Sequence, residues 1–170
     1  MSPHDAVAMA VALVACAFDL RRRRIPNALT FGAAAAGLLT ACVTGGPPAL
    51  GSSALGWLVG LAVFMPVYAL GGMGAGDVKL LAALGAWVGP LSVFHLALYT
   101  GIAGGAFAVI VAVTRRCVQQ TFVNLQLLIL HWRAAGVFAA PALTLETASS
   151  PKLPYALPIL VGTVTAIWIG

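Results

Sequence analysis

Acidic side chains are almost missing from this chain: Asp5, Asp19, Asp77 and Glu146 are its four carboxylates in 170 residues. Charge of either sign is scarce, at 8% of residues against about 25% in soluble domains. By contrast 61% of residues are hydrophobic and the mean hydropathy is +1.02. That balance excludes an ordinary soluble domain. It predicts an all-α polytopic membrane protein, one membrane-embedded domain over residues 1–170, with the lipid bilayer as a partner. Cysteine pairs are lacking too. Cys16, Cys42 and Cys117 show no CxxC spacing, which argues against a structural zinc site or a disulfide framework. Cys16 and Cys42 are expected within helices as small apolar residues. The nine basic residues form no aromatic-interleaved patch, so nucleic acid is not an expected partner. A basic region ahead of the first apolar run is also absent, and that run reads as a retained span rather than a removed signal peptide.

What the chain does have is apolar sequence in lengths suited to a bilayer, where a spanning helix takes about 17–25 residues. About six transmembrane helices are expected, at 5–20, 27–44, 50–70, 78–89, 91–113 and 154–170. The first is slightly short and the fourth clearly short. The fourth reads either as a half-span shielded by neighbouring helices or as a segment whose Gly89-Pro90 turn lies inside the membrane.

Six alternating spans place the loops 21–26, 71–77 and 114–153 on one side. All nine basic residues lie in or beside those loops: Arg21, Arg22, Arg23, Arg24, Lys79, Arg115, Arg116, Arg133 and Lys152. The opposite loops, Gly45-Gly46-Pro47-Pro48 and Gly89-Pro90, carry none. Basic residues mark cytoplasmic loops, so both termini are expected outside, with Asp19 and Asp77 at one cytoplasmic membrane boundary. Within 114–153, Val118, Phe122, Leu125, Ile129 and Trp132 recur at helical spacing, interrupted by Gln119, Gln120, Asn124 and Gln126. This pattern fits a cytoplasmic amphipathic segment lying in the interface. The rival is a seventh span, which would bury several amides and move the C-terminus to the other side.

Carboxylates at the edge of a span are costly and usually have a task. Asp77 follows Gly74-Ala75-Gly76 and precedes an apolar run, so capping a helix start is one role open to it. Gly74 and Gly76 add a second, because glycine lets another backbone come close to the carboxylate. Lys79 can snorkel to the interface without touching a site. Asp19 lies near the C-terminal end of its span, where the helix dipole disfavours an anion. Pairing with Arg22 or Arg23 is its structural alternative, though exposed pairs of that kind contribute only about 0.3–0.5 kcal/mol. Together the two acids suit general acid–base hydrolysis, one activating water while the other polarises a carbonyl. The helix dipoles favour an anionic Asp77 and a neutral Asp19, which makes Asp19 the holder of the shared proton and Asp77 the base.

Other chemistry is poorly supplied. No convincing Ser/His pair occurs, and His4, His95 and His131 are scattered; His95 is expected as a hydrogen-bonded residue inside a span. A metal site from two aspartates and one distant histidine is disfavoured, and no cofactor is called for.

Asp-Leu-Arg-Arg-Arg-Arg-Ile-Pro-Asn at 19–27 and Gly-Ala-Gly-Asp-Val-Lys-Leu-Leu at 74–81 resemble, in order and spacing, the two signature motifs of type IV prepilin peptidases. Lys-Leu-Pro-Tyr-Ala-Leu-Pro at 152–158 is similar to the segment that opens that family's last helix. The resemblance runs from the first helix to the last. It implies a polytopic GxGD aspartyl protease that cuts the basic leader from prepilins or pseudopilins at the cytoplasmic face of the inner membrane. Asp19 and Asp77 are then the catalytic aspartates, with Gly74, Gly76 and Lys79 supporting the loop and substrate. Larger members add a cysteine-rich cytoplasmic domain and N-methylate the new terminus. With no CxxC pair, this chain resembles the short, single-function form of Flp/Tad pilus assembly.

Two alternatives belong to other classes. One is a small ion- or proton-coupled transporter subunit using the two aspartates, although such sites tend to lie near the midplane on broken helices. The other is a non-catalytic pilus assembly protein in which Asp77 caps a helix and Asp19 pairs with arginine. Asp5 and Glu146 are expected to be ordinary polar residues.

Overall fold

The computed structural model describes residues 1–116, 118, 119, 122–124, 126, 127, 130 and 155–169. They form α1 (Pro3–Arg22), α2 (Asn27–Ala69), α3 (Ala75–Val88), α4 (Pro90–Thr114) and α5 (Ala156–Ile169), with no strand among the described residues. The described residues between 118 and 130 are also helical. The remaining residues of the expected interfacial segment, Gln120, Leu125, Ile129 and Trp132 among them, lie outside the described residues, as do Cys117, His131, Arg133, Glu146 and Lys152.

Helix α1 starts with a reciprocal cap. The Ser2 hydroxyl accepts from the Asp5 N–H at 3.2 Å, and the Ser2 N–H donates to Asp5 Oδ2 at 2.6 Å. This satisfies two donors that a helix start leaves over and accounts for Asp5 structurally. Helix α2 is two arms rather than one rod. Gly46 breaks it at φ 63°, ψ −157°, a backbone shape open to glycine, and Pro47 and Pro48 restart the helix beyond it. The first arm sets Gly37 against Ala86 and Trp87. The second sets Gly56 against Gly85 and Gly60 against Leu81. Both arms therefore lie along α3 in opposite directions, and they correspond to the expected spans 27–44 and 50–70.

Helix α3 is the middle of the fold. Leu80, Leu81 and Leu84 are fully buried, enclosed by α1, α2 and α4. Its 14 residues reach about 21 Å at 1.5 Å per residue, short of an apolar layer of about 30 Å. A polar helix end at such depth is tolerable only when protein surrounds it, and shielding by neighbours is what the packing provides. By length and composition α1, α2 and α4 can each cross a membrane, while α5 is a shorter apolar helix. Helices α4 and α5 are antiparallel: Gly162 abuts Thr100, and Gly104 faces Pro158. Thr114 and Ala156 thus lie toward the same end of the bundle as the start of α3.

Candidate active site

Asp19 reaches the site on the last turn of α1, and Asp77 on the first turn of α3. Both are buried, at 9% and 8% exposure. They line one cleft of about 330 Å³ together with Arg23, Arg24, Asn27, Gly74 and Lys79. Two residues far apart in sequence are brought together because α1 and α3 pack side by side.

The glycine loop shapes the cleft locally. Gly74 is the residue before α3, and its carbonyl accepts the Asp77 N–H at 3.1 Å. Its own backbone hydrogen bonds the Asp77 carboxyl, as the third residue of a helix does in half of a capping box. Asp77 is therefore not the N-cap itself. A side chain on Gly74 would sit 3.2 Å from Asp77 Oδ2, and one on Gly76 would press on Ile25. Lys79 does not extend away. Its Nζ donates to Asn27 Oδ1 at 3.1 Å and lies 5.2 Å from the Phe31 ring centre, tying α3 to the start of α2 beside the cleft.

Asp19 is held differently from the arginine pairing that its spacing allows. The Arg22 guanidinium lies 5.9 Å from the Phe18 ring centre, and no described Lys or Arg makes an ion pair with Asp19. Its Oδ2 instead accepts the backbone N–H of Ala156 at 3.3 Å, across 137 residues of sequence. Neither Asn27 nor Ala156 is identified as a site residue by sequence reasoning. The similarity at 152–158 marks the neighbourhood of Ala156, but a backbone donor leaves no trace in residue type.

Asp77 ends the loop ahead of the apolar run 78–89. Burial, and after it the charge of Asp19, pushes its carboxyl up to about 7, against the smaller opposing effect of the Gly74 hydrogen bond. The helix dipole is worth about 0.3–1 kcal/mol at an exposed helix end, and a shift of one pKa unit is about 1.4 kcal/mol. Desolvation therefore wins. The dipole-based expectation of an anionic Asp77 is corrected: Asp77 is the carboxyl disposed to hold a proton near neutral pH.

The histidines stay apart from the cleft. His4 packs its ring 5.9 Å from Trp87, at the other end of α3. His95 is exposed on α4, 6.4 Å from the Phe94 ring, not hydrogen-bonded in the interior as expected, because its position faces away from α3 and α5. Cys16 is buried one turn before Asp19, and Cys42 is exposed on the first arm of α2.

Residues 6–109 match the pattern of the type IV leader peptidase family, and both aspartates fall inside that stretch. The chain belongs to this family. Among its relatives, a type 4 prepilin-like proteins leader peptide-processing enzyme of Escherichia coli O78:H11 is 36% identical over 58% of this chain and 39% of its own length. A prepilin leader peptidase/N-methyltransferase of Aeromonas salmonicida is 36% identical over 57% of this chain and 36% of its own length. The match thus spans well under half the length of these two family members. No solved structure matches the chain.

Proposed function

We propose that this protein is an aspartic endopeptidase that removes the basic leader from type IV prepilins or pseudopilins at the cytoplasmic face of the inner membrane. The observation that carries the reading is the shared cleft: two buried carboxylates, from two different helices, beside a glycine loop in a chain with almost no other acids. Family membership and the names of the relatives support the substrate class. The whole of 1–170 acts as one membrane-embedded peptidase domain, of the single-function Flp/Tad kind.

The chemistry gives the two carboxyls different parts. Asp77, raised by burial, starts as the acid. Asp19, facing the Ala156 N–H with Arg23 and Arg24 at the cleft wall, takes the part of the base. Asp19 takes a proton from water as the water oxygen bonds the scissile carbonyl carbon, and Asp77 gives its proton to the carbonyl oxygen. A neutral gem-diol results. Asp19 then protonates the amide nitrogen, the C–N bond breaks, and Asp77 recovers a proton from a diol hydroxyl. Both carboxyls end as they began. Gly74 and Gly76 let the substrate backbone approach, and Lys79 fixes the loop.

A substrate whose leader joins an apolar helix presents its scissile bond at the membrane boundary, which is where such a cleft is useful. The test is co-expression of a prepilin with wild type, Asp19→Ala and Asp77→Ala. Cleavage by wild type and its loss in both variants, at equal protein levels, is the expected result. Processing that continues in either variant removes that aspartate from the mechanism.

A further inference from the structure

The Tyr-Ala-Leu-Pro stretch at 155–158, where α5 begins, is given no role of its own in the chemistry above, yet Ala156 lies against the site. The Ala156 N–H donates to Asp19 Oδ2, in a buried setting, from the first turn of α5. That donor is one of the N–H groups that a helix start cannot satisfy internally. Ala156 is 1% exposed, so water does not compete for the contact.

The height of α5 is fixed from a second place. Gly162, six residues on, sits directly on Thr100 and Leu96 of α4. A side chain there would run into the Thr100 hydroxyl and lie 2.7 Å from the Thr100 nitrogen and 2.9 Å from the Leu96 carbonyl oxygen. Ile159 and Thr163 on the same turns are completely buried. Six residues span about 9 Å of helix, so the seating of Gly162 delivers Ala156 to Asp19.

We propose that the first turn of α5 is a positioning element of the active site: the Ala156 N–H orients the Asp19 carboxylate, and the Gly162 contact with α4 sets the register that makes this possible. This deepens the peptidase reading and rests on it for its catalytic consequence, while the contact itself stands apart from any activity. An acceptor oriented by a fixed backbone donor presents its other oxygen to water in one direction. Loss of that donor leaves substrate binding in place and degrades the chemical step.

Two measurements on the full-length protein in nanodiscs test it. The first needs no substrate. The chain has two Tyr-Ala pairs, Tyr68-Ala69 and Tyr155-Ala156, so carbonyl-labelled tyrosine with nitrogen-labelled alanine gives two selected amide signals. One of the two is expected to move on Asp19→Asn, and neither on Asp5→Asn at the far end of α1. Two signals unmoved by Asp19→Asn overturn the contact.

The second uses a synthetic peptide with a basic leader joined to an apolar helix. Ala156→Pro removes the N–H at a position where a helix start tolerates proline. The expected result is a fall in kcat of about tenfold or more with KM unchanged, and a smaller fall in Ala156→Gly, which keeps the N–H. Equal kcat in Ala156→Pro and wild type overturns the positioning role. If Ala156→Pro does not fold, the amide signals decide alone. If wild type leaves the peptide uncut while the amide signal responds to Asp19, the peptidase reading fails and the contact survives.

Discussion

The two ends of α3 are built on opposite plans. At its C-terminal end, Gly85 meets Gly56 backbone to backbone. Polar groups pair there across helices: Ser53 Oγ of α2 donates to the Ala86 oxygen at 2.6 Å, and Trp87 Nε1 donates to the Ala33 oxygen of α2 at 2.8 Å. At its N-terminal end the loop before the helix is glycine-rich, a cleft opens, and two acids lie buried with few donors. One end is closely packed with its side-chain donors paired; the other opens where the chemistry is proposed. The closed end fixes the direction of α3 and so holds the open end in place. Stability and the proposed activity are therefore expected to separate by position along a single 14-residue helix.

The largest effect belongs to the open end. Asp77→Ala and Asp19→Ala should each lower the cleavage rate by about 10²–10⁴-fold, the range of general acid–base contributions. Asp77→Ala should do so without lowering the thermal midpoint, while Asp19→Ala also strands the buried Ala156 N–H and should lower it. A drop in the midpoint of Asp77→Ala equal to that of a closed-end variant would erase the contrast.

The reverse pattern is expected at Gly85. An added methyl there would run into the Gly56 carbonyl oxygen and lie 2.7 Å from its carbon. Overpacking of this kind costs about 1–3 kcal/mol. Gly85→Ala should therefore lower the thermal midpoint, while the cleavage rate per folded molecule stays within about twofold of wild type. A rate loss far beyond that, in protein shown to be folded, would mean that the two ends are coupled.

Asp77 allows a finer test through pH. Its carboxyl is raised from 3.8 to about 7 in the folded chain, so between those values the folded state holds more protons than the unfolded one. Stability consequently falls as pH rises from roughly 4 to 7, and stays at the lower level above that. Asp77→Asn cannot ionise and should lose this slope. At pH 8 it should melt above wild type although it no longer cleaves; at pH 4 the two should melt together. A wild-type midpoint that rises from pH 4 to 7, with Asp77→Asn flat, would reverse the sign of the burial argument.

Each end was partly legible in the sequence, for different reasons. Gly45-Gly46-Pro47-Pro48 and Gly89-Pro90 interrupt apolar runs with residues that stop helices, so the reversals at Gly46 and Gly89 could be placed. The residues that seal α3, namely Gly56, Ser53 and Ala33, have no distinctive local pattern, because close approach depends on which helices meet. At the open end Asp19 and Asp77 stood out through scarcity, and their motifs placed them in one family. The protonation order did not follow, since a dipole can be read from helix ends and burial cannot. The hydrogen bond from Ala156 was hidden for the same reason: it belongs to tertiary placement and to backbone, not to residue type.

Lys79 lies on the open end yet behaves like a closing contact, and it gives the smallest expected effect. Its Nζ meets Asn27 Oδ1 and the Phe31 ring, both on α2. It is only half-buried, so a hydrogen bond of about 1 kcal/mol and a cation–π contact of about 0.5–1 kcal/mol are the upper scale of what it adds. Lys79→Met keeps most of the stem volume and the contact with the ring while losing the ammonium. If Lys79 only ties α3 to α2, this variant should lower the thermal midpoint by a few degrees and change kcat by less than about fivefold, since a loss of roughly 1 kcal/mol is a factor of about five. Asn27→Ala should do the same, and the double variant should be no worse than either single, because both remove one shared contact. Additive losses would show that Lys79 acts on the cleft independently of Asn27, and the open end would then contain a third working side chain beside its two acids.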